Sequence, residues 1–317
     1  MTKLTTPPKR SFQTFLDFPY TDDLDVLDAH IAIIGMPYGD AYSFDEIAGP
    51  QSKAPAAVRA VSERLTQNLD RYDFDIGGTV FDGKAVKVVD VGDIWGDRTD
   101  LSGHYRRAEE ACRKIFNAGA TPITIGGDHG IPIPIFRALE DHGPITLVHI
   151  DAHLDWRDTF CDKHEGLSSP IRRASEMSHI ESIHQLGIRG QGSARPQDVA
   201  FAVEKGARIT TMTEWEEIGT KAVLDKIPDG GRYYLTIDMD GLEPSAIPAV
   251  MNPQPGGVSY RQTIDLIKGL TRKGRLMGVD LVELVPDKDV NDISALTLGH
   301  IILNIIGAVV RSESFVL

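Results

Sequence analysis

The sequence predicts an α/β fold, a three-layer sandwich around a mostly parallel sheet of about eight strands. Three observations lead there. Short β-rich apolar runs alternate with helix-like stretches along most of the chain, the order a parallel sheet covered on both faces requires. No repeat, low-complexity segment or Gly/Ser-rich linker divides the chain, so one domain is expected over residues 30–317, after a polar, proline-containing arm over 1–29. The composition, 41% hydrophobic and 25% charged, is globular and argues against disorder or a fibrous repeat.

In order, the first expected strand is HIAIIGM (30–36), followed by a helix over 55–68 and a strand at AVKVVDV (85–91). The next helix, 101–117, aligns Ala108, Cys112, Ile115 and Phe116 on one face and meets a stop at Gly119. Strands at TPITIG (121–126) and ITLVHI (145–150) enclose a helix over 131–141. A helix over 168–178 leads to the strand SIHQLGI (182–188), and a helix over 196–205 to the strand ARIT (207–210). Helices over 213–226 and 259–272 then flank YYLTI (233–237) and precede LMGVDLVE (276–283).

Charge and composition exclude several functions. Thirty-three basic against 46 acidic residues leave a net charge of −13, whereas a nucleic-acid binder needs a basic face. The longest apolar stretch, Ile301 to Val310, is interrupted by Asn304 and falls short of the ~20 residues of a membrane span. Two cysteines, Cys112 and Cys161, cannot form a disulfide framework, and the start MTKLTTPPKRSFQTF has no signal-like apolar core. A soluble, cytoplasmic protein is expected, with neither nucleic-acid nor membrane partners.

Ligands of parallel sheets bind outside the carboxyl ends of the strands. Just there the sequence places Gly127-Asp128-His129-Gly130, then Asp151-Ala152-His153-Leu154-Asp155, then Asp238-Met239-Asp240, and finally Glu283. Spacings of two put the polar groups of each cluster on one side of an extended backbone. Aspartates so gathered cannot all stay ionised without shifted pKa values or a bound cation. A lone DxD is usually a solvated loop and a lone GGDH a capped turn, but three such clusters at matching strand ends point to a metal site. Two histidines with four aspartates suit a dinuclear transition-metal centre, because imidazole favours Mn, Fe, Ni or Zn over Mg or Ca.

These blocks, GGDHG (126–130), DAHLD (151–155), TIDMDGLEP (236–244) and the glutamate of VDLVELVP (279–286), resemble the signature of the ureohydrolases, the arginase and agmatinase family. IGMPYGD (34–40), APAAVR (54–59), VGD (91–93), SSPIRRA (168–174) and LGIRG (186–190) echo the agmatinase branch in order, so the likeness covers residues 30 to 310. It implies an arginase-like sheet, homo-oligomers (trimers or hexamers), and two divalent ions, Mn²⁺ in the first instance and Ni²⁺ in some relatives. It also implies that His129 and Asp155 hold one metal, His153 and Asp240 the other, with Asp151 and Asp238 bridging. The implied reaction is hydrolysis of a small cationic guanidino substrate to urea and an amine. A water between two divalent ions is acidified and attacks the guanidinium carbon. Asp155 then passes the proton towards the leaving amine, and Glu283 orients the guanidinium by bidentate hydrogen bonding.

The chain departs from this pattern in the loops. Leu167-Ser168 stands where the family has His-Gly, so the usual proton-shuttling histidine is absent. His164 is the candidate replacement, against an ordinary surface-loop histidine. Ala249-Val250-Met251-Asn252-Pro253 replaces a Gly-Thr-Gly-Thr-Pro loop, Glu243-Pro244 an Asp-Pro and Thr236 a serine. Asn252 and Trp156 are candidate substrate contacts, with packing an equal expectation for Trp156. Asp90 and Asp93 read as hydrogen-bond partners near the site, Arg172 and Arg173 as partners of surface acids, and Cys161 as inert. Substrates from agmatine to guanidino acids and small guanidines or biguanides stay open. So do two other readings, a formimino or amidine hydrolase and a noncatalytic subunit of a hetero-oligomer.

Overall fold

The computed structural model describes residues 5–6, 13–39, 48–66, 68–97, 99–192 and 194–317; Asp40, which ends the IGMPYGD block, lies outside them. Nine strands form one sheet: β1 (Thr5–Thr6), β2 (Ile31–Met36), β3 (Val88–Ile94), β4 (Thr121–Gly126), β5 (Ile145–Ile150), β6 (Ile180–Ile188), β7 (Arg208–Thr211), β8 (Arg232–Asp238) and β9 (Arg275–Val282). Across the sheet the order is β1-β3-β2-β4-β9-β8-β5-β6-β7. The eight strands β2–β9 pair only in parallel, as the sequence predicts, while the two-residue β1 adds an antiparallel edge to β3.

The helices are α1 (Ala54–Ser62), α2 (Leu101–Asn117), α3 (Pro132–Ala138), α4 (Pro170–Ala174), α5 (Pro196–Glu204), α6 (Met212–Asp225), α7 (Tyr260–Lys273) and α8 (Ile293–Arg311). Alternating side chains of the central strands feed two cores. Ile31 and Ile33 join Val58 of α1, Trp215 of α6, Ile264 of α7 and Leu298 of α8. Ala32 and Ile34 join Cys112 of α2, Phe136 of α3, Ile171 of α4 and Ala202 of α5. Three layers result because these strands are apolar on both faces.

Local signals explain the ends. The Asp100 side chain accepts from the Gly103 N–H to open α2, and Gly119, at φ 80, follows its close. A Ser259–Gln262 capping box opens α7. Gly219, at φ 77, interrupts α6. The expected strand at 85–91 is shifted to Val88–Ile94 because pairing with β2 begins at Ile31↔Val88. α8 is absent from the expected list. Its 19 residues are long and apolar enough to cross a membrane, but 14 of them are buried, packed against α1 and α7 as a core helix.

Of the arm expected at 1–29, the described parts are laid onto the domain, Thr5–Thr6 as an edge strand on β3 and the segment from Thr14 onward. Phe15 and Phe18 are buried in the α1 and α8 face, and the Phe15 N–H donates to Asp90 Oδ2 at 2.9 Å. Asp90 and Asp93 do not serve the metal cluster. Both are taken by Arg59 of α1, whose Nε and Nη2 reach Asp90 at 2.8 and 2.9 Å and whose Nη1 reaches Asp93 at 2.5 Å. The reason is topological: β3 is two strands from β4, the nearest ligand-bearing strand, and lies within reach of Arg59 on α1.

Candidate metal centre

The four adjacent central strands β4, β9, β8 and β5 carry every expected ligand. Their registers align, with Ile125 opposite Leu281, Asp238 opposite Val282, and Ile150 opposite Ile237. His129, Glu283, the Asp238/Asp240 pair and the 151–155 turn therefore emerge side by side. β8 and β9 come last in the chain yet fill the gap between β4 and β5, which is how distant segments meet.

His129 Nδ1 lies 3.2 Å from Asp151 Oδ2, 3.1 Å from Asp155 Oδ2 and 3.0 Å from Asp238 Oδ2. Its other nitrogen fixes the tautomer. The Thr236 hydroxyl donates to Asp280 Oδ1 at 2.6 Å, so it accepts from His129 Nε2–H, 3.1 Å away. That leaves Nδ1 as the nitrogen that can ligate, facing three carboxylate oxygens. Burial opposes charge on the ring, but Asp151, Asp155 and Asp238 outweigh it and hold the imidazole well above its ordinary range until a cation takes the proton's place. Nδ1 is buried and makes no hydrogen bond of acceptable geometry among the described residues. A nitrogen lone pair and three carboxylates aimed at one point are a cation's ligand shell.

The second half of the cluster is more open. His153 Nδ1 lies 3.4 Å from Asp151 Oδ1 and 3.1 Å from Asp240 Oδ2, and Asp240 Oδ1 is a second buried atom with no hydrogen-bond partner among the described residues. The His153 side chain is 14% exposed against 1% for His129, so a ligand reaches the site from the His153 side. Asn252 stands there, its Nδ2 3.4 Å from His153 Nε2. Gly241 lets the two turns meet, since a Cβ there would lie 2.8 Å from the Asp151 backbone nitrogen. Arg189 ties the 240–241 turn to the 254–255 loop, donating to the carbonyls of Asp240, Gly241, Gln254 and Pro255.

Electrostatics agree with a cation site. Burial, reinforced by Asp240 and Asp151, drives Asp238 well above the usual carboxylate range; burial and Asp151 lift Asp240 to about 6. Burial opposes charge on His153 too, but hydrogen bonds to Asp151 and Asp240 outweigh it and raise the imidazole to about 12. Without metal the cluster thus retains protons; divalent ions would displace them.

Asp151 is held by a residue that the sequence reading missed. His149 Nε2 lies 2.8 Å from Asp151 Oδ2, and its Nδ1 accepts from Gln185 Nε2 at 3.0 Å. With Nδ1 so engaged, Nε2–H donates to the carboxylate, and His149 orients a ligand although it lies within metal reach itself. Its signal was present: His149 precedes 151, 153 and 155 at the same spacing of two in the sequence. Trp156 extends this chain, its indole N–H donating to Gln185 Oε1 at 2.6 Å. At 1% exposure it is packed inside the domain, where its indole N–H supports the ligand shelf through Gln185. Replacing Gln185 by Leu should lower metal affinity about 10–100-fold with the fold retained, measured by competition with a chromogenic chelator.

Glu283 lies beside the cluster. Its Oε1 accepts from the His129 N–H at 2.8 Å and its Oε2 from Gln51 Nε2 at 2.6 Å. Burial, with Asp128 adding to it, pushes its carboxyl up to about 8. Asp155 and Glu283 both hold left-handed backbone, φ 56 and 68, a strain that functional sites retain. His164 is exposed, and its Nδ1 lies 3.3 Å from Thr159 Oγ1 within its own loop. Arg172 and Arg173 pair with Glu176 and Asp158.

Fold and site together define a metal-dependent hydrolase acting on C–N bonds. The chain belongs to the arginase family, whose sequence model matches residues 29–307. It is 36% identical over 292 residues to a guanidinopropionase of Pseudomonas aeruginosa, covering 89% of this chain and 87% of that one. It is 31% identical over 305 residues to the mitochondrial agmatinase of Gallus gallus, covering 92% and 84%. Its fold matches the proclavaminate amidinohydrolase structure from Streptomyces clavuligerus with a TM-score of 0.80, at 24% identity over 97% of this chain and all of that one.

Proposed function

We propose that the protein hydrolyses the guanidino C–N bond of a small guanidino acid, releasing urea and an amine, with Mn²⁺ as the resident ion and Ni²⁺ as an alternative. The observation that carries the hydrolase reading is the convergence of the His129 Nδ1 lone pair on three carboxylates, continued through Asp151 to His153 and Asp240. When bound, two divalent ions would acidify a water and draw charge from the tetrahedral centre. Glu283 offers a carboxylate fork to the planar guanidinium. Asp155, on the same cluster, is placed to carry a proton towards the departing amine. Asn252 contacts the substrate at the entrance above His153.

Lys288 favours a substrate with an acid end. It is exposed, and its Nζ lies 3.3 Å from the Met251 carbonyl, one residue from Asn252. An ammonium there attracts a carboxylate and repels the free amine of agmatine. The similarity to a guanidinopropionase points the same way. The test is urea release from a panel of guanidinopropionate, guanidinobutyrate, guanidinoacetate, agmatine, arginine, guanidine and alkylated biguanides. Turnover should be fastest with a guanidino acid, and a Lys288→Ala change should raise KM for it while leaving guanidine unaffected. Preference for agmatine would remove the acid reading; ammonia or formamide release from a formimino compound, with no urea from any member, would replace the hydrolase of guanidines by one of amidines.

A further inference from the structure

We propose that Gln51 is a substrate-binding residue whose side-chain carbonyl accepts an N–H of the guanidinium group beside Glu283; this rests on the guanidino-hydrolase reading above. Gln51 is 3% exposed and sits in a short turn, Pro50–Lys53, that precedes α1 and packs against the Pro286–Lys288 turn after β9. Its Nε2 donates to Glu283 Oε2 at 2.6 Å, the orientation that the ionised carboxylate facing a bound cation requires. The carbonyl oxygen Oε1 is therefore turned away from Glu283. It is buried and has no hydrogen-bond partner among the described residues.

A buried amide oxygen left unpaired is costly, and native structures rarely retain one without a reason. The group that would satisfy it must bring an N–H close to a carboxylate. Glu283 has spent one lone pair of each oxygen, on Gln51 and on the His129 N–H, which leaves one on each for a planar fork. Guanidinium matches both requirements at once. It carries N–H groups on all three nitrogens in one plane, so two can meet the carboxylate while another points to the Gln51 oxygen. An alkylammonium, with three N–H groups on one atom, cannot span the two acceptors in this way. Gln51 accordingly has two tasks, holding Glu283 through its N–H₂ and binding substrate through its oxygen.

The experiment uses the full chain loaded with Mn²⁺, as wild type and as Gln51→Met and Gln51→Leu, two changes of similar bulk without an amide. Guanidinium chloride at low millimolar concentration is titrated calorimetrically, KM and kcat are measured for the best panel substrate, and bound metal and Tm are recorded. The expected result is a rise of about tenfold in both the guanidinium Kd and KM, with kcat within about threefold, the pattern of a lost uniform binding contact. Two metals per chain and an unchanged Tm should accompany it. Unchanged Kd and KM in both variants, with an active wild type, would overturn the inference. A drop in bound metal in both would also overturn it, by showing that Gln51 acts only through Glu283 on the ligand shelf. A wild type that neither binds guanidinium nor releases urea would instead overturn the reading on which it rests.

Discussion

Replacing Asp151 by Asn should abolish urea release, by about a thousandfold or more, while the chain stays folded. Asp151 is the hub of the cluster. Its Oδ2 lies 3.2 Å from His129 Nδ1 and 2.8 Å from His149 Nε2, and its Oδ1 lies 3.4 Å from His153 Nδ1. Among the described residues it is the one carboxylate common to the two groups of metal-reach atoms. An amide there removes a negative charge from both metal positions and presents an N–H₂ towards one of them. Losing several kcal/mol of transition-state charge stabilisation corresponds to three or more powers of ten in rate. The fold should survive, because the change leaves both apolar cores untouched. Burial raises the Asp151 carboxyl, but His149, His129 and His153 outweigh it and hold it well below the usual range, so a modest loss of stability from their lost anionic partner is expected. Steady-state rates and circular dichroism on the same preparation check both halves. Activity within about tenfold of wild type would show that Asp151 does not bridge.

The largest effect on stability is expected far from the metals, at Arg59. Its guanidinium is 1% exposed and is spread over Asp90 and Asp93, while Asp90 also accepts the Phe15 and Gly92 N–H groups. An Arg59→Met chain keeps the bulk but leaves two buried carboxylates without their cation. Removing one partner of a buried, hydrogen-bonded ion pair costs about 3–5 kcal/mol. Because Asp90 also anchors the 13–18 segment, the loss should appear as a lower denaturant midpoint together with early proteolysis near Phe15. Metal content should be unchanged in the folded fraction. A midpoint within error of wild type would mean that the pair contributes little and that Asp90 is satisfied by backbone donors alone.

The legible parts of the sequence were those in which chemistry follows local pattern. Each ligand cluster sits directly after an apolar run, at a spacing of two, so the carboxyl edge of a parallel sheet could be assembled before any contact was known. The residues that hold the ligands were not legible in the same way. Gln51 and Glu283 are 232 positions apart, and Gln185 reaches His149 across 36. No periodicity connects such pairs; only the insertion of β8 and β9 between β4 and β5 creates the pocket they share. Asp90 and Asp93 misled for the same reason, since they end a strand as ligands do but meet Arg59 of α1 first. Trp156 follows the metal triplet directly, yet the turn at Asp155 directs its indole inward to Gln185. α8 escaped notice because a helix buried on most of its sides carries no amphipathic period.

The most direct test is a titration of chelator-stripped protein with Mn²⁺, followed by urea release from the best guanidino substrate. The account predicts no activity in the stripped chain and a rise that breaks at two metal equivalents per chain, lost in an Asp151→Asn variant. Full activity in the presence of chelator, or no activity at any loading with two ions bound, would contradict it.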